Sequence, residues 1–321
     1  MRLNVTFAIT PIMMMLCATA SGQNYPTHEI RVICGLPAGS GGDIVTRFYA
    51  DQLSKLAGKP VIVENRAGMI MSAGAEAVAK APPDGYTILI TSVTSSHAAN
   101  VFNFTKLPYD PVKDFAPIAM LQQSYFILLV RPEAPWKNVN ELTQAMRIKG
   151  EEGSYGYGAP PALASAELYK ARKGLKTEGI AYKTSLQSLS EMASGVLDFQ
   201  FFDSNAGTGL LESSKLRGLA ITTAKRIAGV DLPTMAEAAE IEEFDIAPVW
   251  GALAPARTPA PIIGKLEGWF MQINQLEATR RFLSITHAAQ RAGDAKALAD
   301  FIPKEIEKWR ELSKLANIQP Q

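Results

Sequence analysis

Residues 37 to 43 read Pro37-Ala38-Gly39-Ser40-Gly41-Gly42-Asp43, and they separate an apolar run, Ile30 to Leu36, from a run of helical period, Ile44 to Leu56. Three glycines in such a corner let the backbone turn and bring bare N–H groups against a ligand. The helix that follows adds a partial positive charge at its first turn. The chemistry this offers is anion binding; the same residues also suit a plain strand-to-helix turn in which Asp43 caps the helix. Sharper chemistries fail on spacing. Ile44 stands where a dinucleotide fingerprint needs its third glycine, no Gly-Lys-Ser/Thr occurs, and Ala38 replaces the first glycine that a nucleophile elbow around Ser40 requires.

A second candidate is Thr91-Ser92-Val93-Thr94-Ser95-Ser96-His97, five hydroxyls and an imidazole in what reads as a polar loop after the strand Tyr86 to Ile90. In an open parallel sheet, ligands bind at the carboxyl ends of strands, the edge that also carries the glycine corner. Further along, Tyr157-Gly158-Ala159-Pro160-Pro161 precedes a helix from about Ala162 to Lys173 and repeats the glycine-before-helix logic. Asp203 and Ser204 close another strand, where Asp203 could accept a hydrogen bond from a ligand hydroxyl or ammonium. A competing enzymatic reading takes His97 as base and Ser40 or Ser95 as nucleophile, oriented by Asp43 or Asp203, but no nucleophile motif accompanies them. His28, His97 and His287 are the three histidines, none at metal-ligand spacing from another, so neither metal nor cofactor is expected.

The elements that must position these residues alternate. Strands are predicted at 30–36, 60–64 and 86–90 with helices at 44–56, ending at Gly58, and 73–80. A second alternating unit has strands at 125–130, 179–182, 197–202 and 219–222 and helices at 162–173 and 186–194. Two α/β sheets follow from this order, with a ligand cleft between them. The apolar stretch Val249 to Pro255 comes next, and Pro259 to Ala316 is helical in period and expected to pack on the first unit.

With 321 residues, 47% hydrophobic and 20% charged, the chain has the composition of a globular protein of about two domains. Lysine and arginine number 32 against 31 acids, so no basic field is available for nucleic acid. Arg2, the apolar run Val5 to Leu16 and Ala18-Thr19-Ala20 have the layout of a secretory signal, with cleavage expected near Ala20. The run is shorter than the roughly 18 residues of a spanning helix. If Cys17 leaves with it, Cys34 is the one cysteine remaining, read as a small core residue in its strand.

Several longer strings carry a resemblance: Tyr25-Pro26, PAGSGGD at 37–43, VENRAG at 63–68, GAEAVAKAPPDGYT at 74–87, LPYDPVKDFAPIA at 107–119, TTAKR at 222–226, LPT at 232–234 and APARTPAP at 254–261. Through them the chain resembles the periplasmic receptors of tripartite tricarboxylate transporters, the Bug receptors, along nearly all of its mature length. The resemblance implies an α/β fold of the two-domain periplasmic binding protein kind (type II, Venus-flytrap) with two crossing segments near Ser124 and Ala247. The expected division is a signal peptide at 1–20, one domain at 25–123 plus 248–321, and a second at 124–247. It implies a monomeric, periplasmic receptor, not an enzyme, that closes on a small organic carboxylate and delivers it to the transporter's membrane subunits; a receptor feeding a sensor kinase would look the same. Carried over by position, the ligand contacts are Ala38, Gly39, Ser40, Gly41, Gly42 and Asp43; Ser92, Thr94, Ser95, Ser96 and His97; Gly158 and Ala159; Tyr182, Thr184 and Ser185; and Asp203 with Ser204. Two stretches depart from the family pattern. Met69-Ile70-Met71 replaces a glycine- and asparagine-rich loop, and Ala159-Pro160-Pro161-Ala162 replaces small polar residues. The first of these leads to the expectation of an apolar body behind the ligand's carboxylate.

Overall fold

The computed structural model describes residues 24–320, apart from 183, 184, 206, 208–210, 212–214, 243 and 316; the signal-like segment at 1–20 lies outside the described residues. Eleven named strands form two sheets among these residues. In the first, β1 (Ile30–Cys34) runs parallel to β2 (Val61–Asn65) and β3 (Thr87–Ser92), with Val32 opposite Val63 and Ile88. Strand β10 (Val249–Pro255) enters antiparallel between β3 and β4 (Phe115–Gln123), and all seven of its residues are buried, as a continuous apolar run requires when both faces are covered. The strand order is β11-β4-β10-β3-β1-β2.

The second sheet has the order β7-β6-β8-β5-β9. Its strands are β5 (Phe126–Val130), β6 (Ser154–Tyr157), β7 (Glu178–Ala181), β8 (Phe199–Asp203) and β9 (Arg217–Ile221). The chain leaves the first sheet after Gln123, enters the second at Phe126, and returns to the first at Val249. The two passages touch, since Ser124 N–H donates to Pro248 O at 2.9 Å.

Helices α1 (Gly41–Ala57) and α2 (Ser72–Ala79) belong to the first unit. Helix α1 ends where the sequence predicts, at Gly58, whose left-handed φ of 64° lets its N–H reach Ser54 O. Its buried stripe, Val45, Tyr49 and Leu53 among others, packs with Ile30, Val32 and Ile88. After β3 a π-helical turn, Thr94–Ala99, runs into α3 (Asn100–Asn103). The second unit carries α4 (Val139–Lys149), α5 (Pro160–Lys173), α6 (Ser185–Ala193) and α7 (Met235–Ala239). The carboxyl-terminal part holds α8 (Ala260–Gln275), α9 (Glu277–Thr286) and α10 (Ala295–Leu315).

Two expectations for that carboxyl-terminal part need correction. It is not helical throughout: His287 takes a left-handed φ of 49° after α9, and Ala289–Gly293 forms β11 on the edge beside β4. Nor does α10 pack on one unit alone. Leu298 and Ile302 pack with Leu89 and Leu253 of the first sheet. One and two turns later, Ile306 and Trp309 join the cluster of Phe126, Ala162 and Phe199. Ala98 and Ala99 of the π turn lie in that cluster too, so apolar contact crosses the boundary between the halves.

Candidate functional site

At the glycine corner the helix cap is Ser40, not Asp43. Ser40 sits in extended backbone at φ −73°, and its Oγ accepts from Asp43 N–H at 3.3 Å. Asp43 instead reaches backward: its Oδ2 accepts from Gly39 N–H and from Arg47 Nε, both at 2.9 Å, and its Oδ1 from Asn65 Nδ2 at 2.9 Å. Burial alone would raise the Asp43 pKa, yet the hydrogen bonds from Arg47, Gly39 and Asn65 outweigh it and hold the carboxyl below its ordinary value. Asp43 is thereby kept ionised and compensated by its own arginine.

These bonds also decide which amides remain. Gly39 N–H is taken by Asp43, Ser40 N–H donates to Pro37 O at 3.2 Å, and Ile44 N–H donates to Ser40 O at 3.0 Å. The N–H groups of Gly41 and Gly42, the first and second helical positions, have no partner among the described residues. Of the three glycines only Gly39 takes a left-handed φ, 79°. Gly42 is needed for space: a Cβ there would lie 2.3 Å from Leu36 Cδ1 and 2.6 Å from Trp250 Cη2. Ala38 and Gly39 are exposed at the turn.

The hydroxyl stretch is not a solvated loop. Ser92 ends β3, and Thr94, Ser95, Ser96 and His97 are buried in the π turn because their polar groups bond to one another and to the backbone. Thr94 Oγ1 donates to Glu305 Oε1 and accepts from Val249 N–H, both at 3.1 Å. Ser96 Oγ donates to Ser92 O at 2.9 Å and lies 2.8 Å from His97 Nδ1. The His97 ring packs edge-on against Phe115 with centroids 4.6 Å apart, and burial pushes its pKa down to about 3, so it stays neutral. It meets neither Ser40 nor Ser95, which removes the proposed nucleophile pair. Ser92 and Ser95 are left. Their oxygens are 3.1 Å apart and Ser92 Oγ also accepts Ser95 N–H at 3.2 Å, so of their two hydroxyl protons one closes the mutual bond and one is free to donate.

On the second sheet, β6 leads through half-buried Gly158 and Ala159 into α5. The expected repeat of the anion corner fails here. The first two helical positions are Pro160 and Pro161, which have no N–H, and the next two amides, of Ala162 and Leu163, both donate to Ala159 O at 3.1 Å. Ala159 occupies the cap position without a side-chain bond. The Tyr182 hydroxyl donates to Glu191 Oε2. Ser185 opens α6, while Thr184 and the Ser185 side chain lie outside the described residues.

Asp203 and Ser204 stand at the passage between sheets. Asp203 Oδ1 accepts from Asn205 N–H and Nδ2, both at 2.9 Å, and Oδ2 from Ser124 Oγ at 3.2 Å. Burial is the largest influence on its pKa, which rises to about 6 against the opposing pull of these donors. Ser204 Oγ accepts Tyr125 N–H at 3.3 Å. Residues that sequence reasoning misses complete the bridge: Gln122 Nε2 donates to Asn205 Oδ1 at 3.0 Å, and Trp250 Nε1 to Ser124 Oγ at 3.4 Å. Trp250 thus touches the α1 corner with its ring and the crossing with its indole N–H. Of the Met69–Met71 departure, Met71 turns into the first core, Met69 is about half exposed at 51%, and Ile70 O accepts from Asn100 Nδ2 at 2.7 Å. The expectation that all three meet the ligand therefore fails for Met71.

Residues 45–318 match the family model described as the tripartite tricarboxylate transporter family receptor, TctC. The chain belongs to this family. Among TctC relatives, protein BugT of Bordetella pertussis is 28% identical over 297 residues, covering 92% of this chain and 91% of BugT. The Rhodopseudomonas palustris protein Rpa4515, solved with adipate, is 29% identical with a TM-score of 0.88, covering 92% of this chain and all of that one. The periplasmic binding protein BugD shares the fold at a TM-score of 0.85 and 24% identity, over 92% of this chain and 100% of its own. TctC proteins are solute-binding receptors, not enzymes, and the two sheets found here are those of the TctC and Bug structures.

Proposed function

We propose that this TctC receptor binds a small organic carboxylate between its two sheets and hands it to the membrane subunits of a tripartite tricarboxylate transporter. The observation that carries the reading is the pair of unpartnered amides at Gly41 and Gly42, on the first turn of a 17-residue helix beside the boundary between the halves. A helix N-terminus favours an anion by roughly 0.3–1 kcal/mol, and each hydrogen bond to a charged group adds about 1.5–3 kcal/mol. Two amides and the spare Ser92/Ser95 proton therefore supply a large part of the roughly 8 kcal/mol of a micromolar complex. Adipate in Rpa4515 supports a carboxylate as the ligand class.

In this reading residues 25–123 plus 248–321 form one domain and 124–247 the other, and closure turns about the paired passages at Ser124 and Pro248. The receptor works as a monomer in the periplasm after loss of residues 1–20; mass spectrometry of the native protein should find a start near Ser21. The functional test is a thermal-shift screen with mono- and dicarboxylates. A ligand at about 100 times its dissociation constant stabilises the folded state by about 2.7 kcal/mol. A full panel of carboxylates that leaves Tm unmoved would overturn the reading.

A further inference from the structure

We infer that the ligand carries a single carboxylate, seated on the α1 corner, and that its other end is uncharged and apolar. The inference rests on the carboxylate reading above and sharpens it to a substrate class.

Helix α5 is the second half's counterpart of α1: each follows the carboxyl end of a strand in its sheet, β6 or β1, and each begins beside the boundary between the halves. Helix α5 packs against the π turn and α10 and shares an apolar cluster with Ala98 and Ala99 of the first unit, which places the helix against the boundary. A dicarboxylate spanning the halves would need a second set of donors there. The first two helical positions supply none, because Pro160 and Pro161 lack N–H, and the next two amides are spent on Ala159 O. The cap residue, Ala159, has no hydroxyl.

Among the described residues at this end of the second half, Tyr182 and Asp203 do not replace what the helix lacks; Thr184 and the Ser185 side chain lie outside the described residues. The Tyr182 hydroxyl is committed to the Glu191 carboxylate. Asp203 is an acid whose bonds come from Asn205 and Ser124, with no cation donating to it among the described residues, so a second ligand carboxylate would face a like charge. A buried carboxylate with unmade hydrogen bonds is expensive, whereas a methyl or methylene end at the proline tip of α5 leaves no polar group unsatisfied.

The experiment compares hexanoate with adipate by calorimetry on the mature chain, since the two share six carbons and differ only in the second carboxylate. Hexanoate is expected to bind at least tenfold tighter. The double variant Pro160→Ala with Pro161→Ala puts two N–H groups where Gly41 and Gly42 carry theirs and trims the apolar tip, and should shift the ratio of adipate to hexanoate affinity at least fivefold toward adipate. Adipate binding more tightly than hexanoate to the native chain, or an unchanged ratio in a folded double variant, overturns the inference and leaves the carboxylate reading standing. Failure of both ligands, together with failure of the wider carboxylate panel, removes both.

Discussion

At the first turn of α1 the first and second helical positions are Gly41 and Gly42; at the first turn of α5 they are Pro160 and Pro161. Both choices are compatible with a helix start. Proline is favoured there because its φ is already set and the missing N–H would have had no intrahelical partner. The difference lies in what is offered outward. Glycine leaves two donors and removes the side chain that would shield them, and proline leaves none. The caps differ in the same sense, since Ser40 frees α1 from using its own first amides while Ala159 carries no capping group. One half is equipped to hold charge and the other to end the helix with carbon. If the ligand lies between these halves, as proposed, the asymmetry would set an orientation, with the anionic end at α1.

The largest effect expected from breaking this asymmetry comes from Gly42→Ala. The added Cβ would fall within 3.0 Å of both Leu36 and Trp250, closer than side chains can stand, so α1's first turn must shift off Trp250. Overpacking of this kind costs about 1–3 kcal/mol of stability, and carboxylate affinity should fall at least a hundredfold. Pro161→Ala, the same position on α5, should cost less than about 1 kcal/mol, because nothing is crowded and the helix loses only a preset φ. Urea titration and calorimetry on both variants test the pair; equal losses would show that the two turns are not differently used.

Much of this architecture is legible in the residues themselves. The switch from an alternating pattern at Arg31–Cys34 to helical period after Gly41, with glycines between, marks the β1–α1 corner, and Gly58 marks the end of α1. What escapes is whatever depends on partners distant in sequence or on hydroxyls acting as backbone. Ser92 to His97 looks solvated because its side chains are polar, yet Ser92, Ser95 and Ser96 bond to one another or to backbone within a turn, Thr94 bonds to Glu305 and Val249, and the segment is buried. Ser40 and Asp43 are both cap-type residues three apart, and type alone does not say which one caps. The Trp250–Ser124–Asp203 bridge joins three strand ends far apart in the chain, and no local periodicity signals it. The proline pair is plain in the sequence, but its consequence appears only when the remaining amides are traced to Ala159 O.

A second way to sharpen the comparison is through the buried imidazole behind the α1 half. His97 has its pKa pushed down to about 3 by burial, against about 6.5 in an unfolded chain, so the unfolded state binds an extra proton between those values. Its contribution to stability is present above pH 6.5 and is lost as pH falls toward 3. Between pH 7 and pH 5 the native chain should lose about 2 kcal/mol through this group alone, and His97→Asn should remove that loss. Denaturation at the two pH values in both proteins gives the number; an undiminished loss in the variant would place the acid sensitivity elsewhere.

Arg47→Ala addresses the charge at the corner directly. Without the guanidinium, Asp43 keeps Gly39 N–H and Asn65 but loses its counter-charge, and its field then opposes an incoming carboxylate. Because Arg47 is about half exposed, at 52%, solvent screens part of the effect; an affinity loss of about tenfold, on the order of 1.4 kcal/mol, is expected, greater at low salt than at high. Arg47→Lys keeps the charge and should restore most of the affinity. Salt-independent weakening in Arg47→Ala would mean that the arginine acts only by holding the loop.

The smallest effect should come from Asp203, whose situation is the reverse of that of Asp43. Among the described residues its hydrogen bonds come from Asn205 and Ser124 and from no arginine, and burial raises its pKa to about 6, above the ordinary 3.8. In the window from 3.8 to 6 the folded state binds the extra proton, so this group's contribution is full at low pH, shrinks as pH rises through the window, and is a standing penalty above it. Asp203→Asn keeps an oxygen for Asn205 and turns the other contact into a donor toward Ser124 Oγ, which can still accept. The variant should therefore gain stability at pH 8, on the order of 1 kcal/mol once partial solvent contact is allowed for, and should gain nothing at pH 3.5, where the native acid is already neutral. Melting temperatures of both proteins at these two pH values decide it. A gain equal at both would trace to packing and not to charge. A loss at pH 8 would mean that the ionised Asp203 holds the passage between the sheets together, so that both halves, not α1 alone, depend on a charged carboxylate.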